Sequence, residues 1–177
     1  MDTPSTQRSK ATQPLVSIVM GSDSDLPKME GCLDALHEFG IPFDIQVVSA
    51  HRTPQLAHEF ASGAEGRGVR VIIAAAGGAA HLAGVMASLT VLPVIGVPVA
   101  TAPLQGVDAL YSTVQMPPGV PVATVGVDAS RNAGILAVQI LATADPGLRE
   151  KLKAFKIRMA DGVREKSKKL QDKLSAK

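Results

Sequence analysis

An apolar run that stops at a glycine and gives way to a helical pattern constrains this chain most, because the succession recurs. Leu15-Val16-Ser17-Ile18-Val19-Met20 ends at Gly21. A short apolar run of that kind reads as a buried strand. After the polar turn Gly21-Ser22-Asp23-Ser24-Asp25, Pro27 stands in a first helical turn, where its missing N–H costs nothing. Met29, Cys32, Leu33, Leu36 and Phe39 then keep helical spacing until Gly40 closes the helix.

The pattern repeats. Phe43–Val48 predicts a second strand, and Thr53 as N-cap with Pro54 at N1 opens a helix with Leu56, Ala57, Phe60, Ala61 and Ala64 on one face. Val69–Ala75 predicts a third strand, followed by the bare loop Ala76–Leu82 and a helix to about Leu89. Val94–Val97 predicts a fourth strand, with a loop over 99–106 and a helix over Val107–Val114. Prolines at 117, 118 and 121 keep Gln115–Pro121 irregular. Val122–Val127 predicts a fifth strand and Asn132–Ala142 an apolar helix. Asp145-Pro146 opens a last helix striped by Leu148, Leu152, Phe155, Met159, Val163 and Leu170.

Strands alternating with helices imply a parallel sheet with right-handed crossovers. The expectation is an α/β fold with five parallel strands in the order 2-1-3-4-5, a topology that brings the loops after the first three strands to one edge. Residues 1–14 read as a disordered lead-in, 15–145 as the α/β domain, and 146–177 as a basic amphipathic helix and tail.

Composition excludes several functions. Aromatic content is 3% with no Trp, which argues against the stacking platforms of single-strand nucleic-acid binders. Cys32 is the one cysteine, so neither an internal disulfide nor a thiolate cluster can form, and its helical position suits plain packing. The histidines and acids show no ligand spacing, so no metal is expected. His37 and His58 fall on helices away from the loops and read as structural. No apolar run reaches the ~18 residues of a membrane span, and the N-terminus lacks a signal-peptide core; a cytoplasmic protein is expected.

Charge is unevenly placed. Residues 149–177 carry 11 Lys/Arg against 4 Asp/Glu, a balance of +7, and the preceding residues carry −5. An anion site in the acidic body must therefore come from local groups. The basic segment could be a nucleic-acid arm, but its apolar stripe asks for a partner surface, and a neighbouring subunit fits that better.

Three loops carry chemistry. Ser49-Ala50-His51-Arg52 joins a proton carrier to an anion clamp at a strand end. Gly21–Asp25 offers Ser22, Ser24 and free N–H groups to a phosphate, while Asp23 and Asp25 should face away from it. Asp25 reads either as the helix N-cap or as an acceptor for a ribose diol. Gly77-Gly78-Ala79-Ala80-His81-Leu82 leaves backbone bare for a planar ligand, with His81 as a donor or a surface residue. A non-catalytic nucleotide-binding module would use the same loops.

These loops, in order with Gly106-Val107-Asp108-Ala109-Leu110-Tyr111-Ser112 and Val114-Gln115-Met116-Pro117, resemble the N5-carboxyaminoimidazole ribonucleotide mutases of purine biosynthesis over nearly all of 15–160. The resemblance implies a flavodoxin-like three-layer α/β/α domain assembled as a homo-octamer. It implies an isomerase that moves a carboxylate from the exocyclic nitrogen of the ribonucleotide to ring carbon four, without metal, ATP or organic cofactor. Ser22, Ser24 and Arg52 would hold the phosphate and Asp25 the ribose. Ser49, Ala50, Gly77, Gly78, Ala79, His81 and Leu82 would line the base and carboxylate pocket, and His51 would carry the proton. A sister branch carboxylates the free amine directly with CO2; its members typically have Lys in place of Arg52 and lack the Gly-Gly-Ala-Ala-His loop, so Arg52 and His81 favour the mutase branch. The chain departs from the pattern at Ala75 (usually Gly), Ala83 (usually Pro) and Leu26 (frequently Trp).

Overall fold

A computed structural model describes residues 13–175. The expected lead-in is thus largely outside the described residues, as are 176 and 177. Strands β1 (Val16–Met20), β2 (Phe43–Val47), β3 (Val71–Gly77), β4 (Val94–Val99) and β5 (Ala123–Thr124) form one parallel sheet ordered β2-β1-β3-β4-β5. Helices α1 (Leu26–Phe39), α2 (Pro54–Ser62), α3 (Leu82–Ser88), α4 (Val107–Val114), α5 (Ser130–Leu141) and α6 (Pro146–Ser175) alternate with and follow the strands. The order is the expected one. The chain resolves into two compact units, one up to Ala137 and one from Val138 onward.

In the first unit, register and pleat divide the core. Val16 lies opposite Phe43 and Val71, and Val19 opposite Ala74. Successive side chains point to opposite faces, so Val19, Ile72 and Ala74 share one face, where they pack with Ala57 and Phe60 of α2 and Leu82 and Met86 of α3. Val16, Ile18, Val71 and Ile73 turn to the other face, and all four are fully buried. That face is left to α1, whose Met29, Cys32 and Leu36 are also fully buried. The α1 helix ends at Gly40 in the left-handed conformation (φ 72°), as the sequence predicts. Arg131 of α5 pairs with Glu38 of α1 at 2.7 Å.

Element ends differ from the sequence reading for identifiable reasons. Strand β3 begins at Val71, two residues late, because the Val69 N–H closes a turn onto the Ala64 carbonyl. It runs on through Ala76 and Gly77, which pair with Pro98 and Val99 of a correspondingly longer β4. Pro98 lacks a donor, but its carbonyl accepts the Asp128 N–H at 2.9 Å. Strand β5 shrinks to Ala123–Thr124, because the chain turns away through Gly126 and a left-handed Asp128 (φ 54°).

The second unit holds the end of α5 and α6. Asp145 caps α6 by accepting the Leu148 N–H at 3.1 Å, and Arg149 donates to the carbonyls of Ala142 and Thr143. Leu148 and Phe155 are buried, whereas Met159, Val163 and Leu170 of the same stripe are exposed. Among the described residues, no helix is long and apolar enough to cross a membrane.

Candidate active site

The loops after β1, β2 and β3 meet at one sheet edge around a cavity of about 400 Å³, within the ~300–1,000 Å³ range of small-molecule sites. Ser22, Ser24, Asp25, Ser49, Ala50, His51, Arg52, Gly77, His81 and Leu82 line it. Gly78 and Ala79 belong to the same loop without forming its wall. Gly21, Ala76 and Ala80, which belong to the expected loops without a role of their own there, also line it, as does Thr101, which the sequence reading did not reach. Thr101 follows β4, the neighbour of β3, so the rule that ligands bind beyond the carboxyl ends of parallel strands could have found it.

The first loop is held by its own polar groups. Ser22 is extended (φ −150°, ψ 153°), and its hydroxyl accepts the Ser24 N–H at 3.3 Å. The Asp23 carboxylate accepts that N–H at 3.0 Å and the Ser22 hydroxyl at 3.2 Å, which keeps it off the cavity wall. The Ser24 and Ser22 hydroxyls stand 2.8 Å apart. Asp25 occupies the N-cap position of α1 but makes no side-chain cap bond; it is buried and faces the cavity. Burial pushes its carboxyl pKa up, a hydrogen bond with the Ser22 backbone partly offsets this, and the Asp23 charge adds to the rise.

The second loop departs from expectation at Thr53. Its hydroxyl does not cap α2. It donates to the Ser49 carbonyl at 2.9 Å and accepts the Ser49 N–H at 3.0 Å. These bonds close a turn that presents Ala50, His51 and Arg52. Arg52 donates from its backbone N–H and Nε to Ser49 Oγ (3.2 and 3.3 Å) and from Nη2 to the Gly21 carbonyl (3.2 Å). The guanidinium thereby ties the first two loops together beside the serine hydroxyls.

In the third loop Gly78 (φ 61°) and Ala80 (φ 44°) are both left-handed, and the Ala80 N–H returns to the Gly77 carbonyl at 3.2 Å. This tight turn delivers His81 to the cavity, where its Nδ1 lies 2.8 Å from Nε2 of His51.

The remaining candidates lie elsewhere. His37 stacks edge-on against Phe43 with centroids 5.1 Å apart, and His58 is exposed on α2. Cys32 is buried, and burial pushes its thiol up to about 12. Among the described residues no group of three or more His, Cys, Asp or Glu is placed to hold a metal ion.

Fold and site together define a class: a parallel α/β protein whose sheet-edge pocket combines an anion cradle, a buried carboxylate and two imidazoles. Residues 15–162 match the AIR carboxylase family. The N5-carboxyaminoimidazole ribonucleotide mutase of Pyrococcus horikoshii is 55% identical over 163 residues, covering 92% of each chain. The enzyme of that name from Mycobacterium leprae is 57% identical over 159 residues, covering 90% of this chain and 93% of the relative. The crystal structure of Treponema denticola PurE superposes with a TM-score of 0.80 at 30% identity, covering 89% of this chain and 98% of that one. The chain belongs to the AIR carboxylase family, and with these relatives it is an enzyme, an isomerase by class.

Proposed function

We propose that this enzyme converts N5-carboxyaminoimidazole ribonucleotide to the 4-carboxy isomer, by decarboxylation and recarboxylation within a closed pocket. The observation that carries the reading is the make-up of one cavity. Ser22, Ser24 and Arg52, whose guanidinium reaches the Gly21 carbonyl, line it together with His51 and the small residues Ala50, Gly77 and Ala80. Hydroxyls and a guanidinium suit the phosphate, and the Asp25 carboxylate suits the ribose diol. Ser49, Gly77, His81 and Leu82 line the space for the base and the moving carboxylate, with Gly78 and Ala79 completing the turn between Gly77 and His81.

His51 carries the proton. Protonation of the exocyclic nitrogen lets its bond to the carboxyl carbon break, with the electron pair returning to nitrogen and CO2 released into the pocket. Ring carbon four then attacks CO2, and the imidazole takes the carbon-bound proton to restore aromaticity. The histidine begins and ends protonated, and no cofactor enters. Such acid–base work typically supplies ~10²–10⁴-fold.

A second reading is direct carboxylation of the free amine by CO2. The phosphoribosylaminoimidazole carboxylase of Schizosaccharomyces pombe is 55% identical over 158 residues, although the chain covers 29% of that protein. One assay separates the two: a mutase forms product from the carbamate without added CO2, whereas a carboxylase needs only CO2 and the amine.

The same reading includes self-association, with a homo-octamer as the expected assembly in a cytoplasmic setting. Val107, Tyr111 and Val114 expose an apolar face on α4, which suits burial against another subunit.

A further inference from the structure

His51 and His81 are bonded to each other: Nε2 of the first and Nδ1 of the second are 2.8 Å apart, with the rings edge-on at 81°. One hydrogen fits between two nitrogens at that distance. Neither ring bonds another protein group among the described residues, so His51 Nδ1 and His81 Nε2 are the nitrogens without a protein partner. Two charged rings would set N–H against N–H and bring like charges together, so the pair carries one positive charge at most.

The consequence rests on the proton-carrying role proposed for His51 and goes beyond it. In that role His51 meets substrate as an imidazolium, with a hydrogen on each ring nitrogen. Its Nε2–H must then donate to His81 Nδ1, which must hold a lone pair. His81 is therefore neutral, with its own hydrogen on Nε2. The hydrogen left to transfer is the one on His51 Nδ1.

We infer that His81 is a positioning residue that holds Nε2–H of His51 and so makes Nδ1 the nitrogen through which the proton passes. During decarboxylation Nδ1 gives its proton to the exocyclic nitrogen as the nitrogen–carboxyl bond breaks. His51 is then neutral, still hydrogen-bonded to His81 through Nε2–H, and its Nδ1 lone pair takes the proton from ring carbon four. Charge and protons balance over the cycle, and His81 gives up and gains no proton in it. Its placement suits this work: it leads directly into α3, where its carbonyl accepts the Val85 N–H at 3.0 Å.

Two variants and a spectrum test this. His81→Leu removes the acceptor, whereas His81→Asn can place Oδ1 where Nδ1 stands. The Leu variant should lose at least ~10-fold in kcat, part of the ~10²–10⁴ available to acid–base catalysis, and the Asn variant should recover most of it. KM should stay within about threefold, as for an interaction that matters to the chemical step rather than to binding. In 15N NMR of the ligand-free wild type, neutral His51 should appear as the Nε2–H tautomer, and in His81→Leu as a mixture. Three results would each overturn the inference: a raised KM with unchanged kcat, an Asn variant as poor as Leu, or a wild-type His51 with its hydrogen on Nδ1. Failure of the wild type to convert the carbamate would instead sink the mutase reading, and the spectrum would still decide the state of the pair.

Discussion

The methyl group of Thr101 occupies the space beside Gly77: a Cβ on Gly77 would lie 2.6 Å from Thr101 Cγ2 and 3.1 Å from the Val99 carbonyl oxygen. Both residues line the cavity, so the close approach sets the shape of its wall. Gly77→Ala should displace Thr101, cost about 1–3 kcal/mol as overpacking does, and raise KM. Adding Thr101→Ser removes the colliding methyl and should recover part of the loss. A denaturation double-mutant cycle with no coupling between the sites would show that the wall tolerates the extra atom.

Asp128 ties three segments. Its Oδ1 accepts the Ala100 N–H at 2.9 Å, its Oδ2 meets Lys28 Nζ at 2.6 Å, and its backbone is left-handed (φ 54°). Burial alone would raise its pKa, but the Lys28 hydrogen bond, the Ala100 N–H and the Lys28 charge outweigh it, and the pKa is lowered. A lowered folded pKa gives stability that is whole above the unfolded value of ~3.9 and lost as pH falls through the folded one. Asp128→Asn keeps a residue tolerant of the left-handed region and removes the charge. It should destabilise by roughly 0.5–1 kcal/mol at neutral pH, the scale of a partly exposed pair. The deficit should vanish in acid below the folded pKa, as read from denaturant midpoints; a deficit unchanged there would assign the effect to shape rather than charge.

Asp25 has the opposite sign. Its pKa is raised chiefly by burial, so its contribution to stability is whole below the unfolded value and is lost as pH rises through the folded one. At neutral pH, above the unfolded value, the buried carboxyl costs stability. Asp25→Asn should therefore stabilise the protein by ~0.5–2 kcal/mol at neutral pH, while KM rises at least ~10-fold through loss of charge-assisted hydrogen bonds to ligand. A variant both less stable and unchanged in KM would place Asp25 outside the binding machinery.

What could be read from sequence followed periodicity. The run Leu15–Met20 with its glycine, and the Met29–Phe39 face closed by Gly40, carry strong period signals, and β1 and α1 emerge where expected. Ala76 and Gly77 look like loop because their side chains are too small to show a strand pattern, yet backbone pairing with Pro98 and Val99 keeps them in the sheet. Thr53 has the composition of a cap, but the Ser49 backbone competes for its hydroxyl. Thr101 carries no local signal at all. Its place in the wall depends on the adjacency of β3 and β4, which arises only once the sheet is assembled.

His51→Asn should leave the fold intact, because the ring is exposed and bonds only His81 among the described residues. Turnover should fall by at least ~10²-fold, the lower bound for a general acid–base residue. Circular dichroism checks the fold and a product assay the rate. Near-normal turnover would remove His51 from the proton-carrying role.

The α6 stripe gives the last prediction. Leu148 and Phe155 are buried, but Met159 (52% exposed), Val163 (67%), Leu170 (58%) and Leu174 (64%) continue at helical spacing into solvent. An apolar face of that length is costly to leave in water. The segment 149–177 carries a charge of +7 and the preceding residues −5, so the acidic body of a second copy is a complementary partner, whereas two such basic segments would repel. Truncation after Arg158 removes the exposed half and spares Phe155. It should yield a smaller assembly by sizing with light scattering, and in the intact chain raised salt should weaken association by screening the same attraction. An unchanged assembly size after truncation would make the stripe a solvated face and leave α4 as the surface to test.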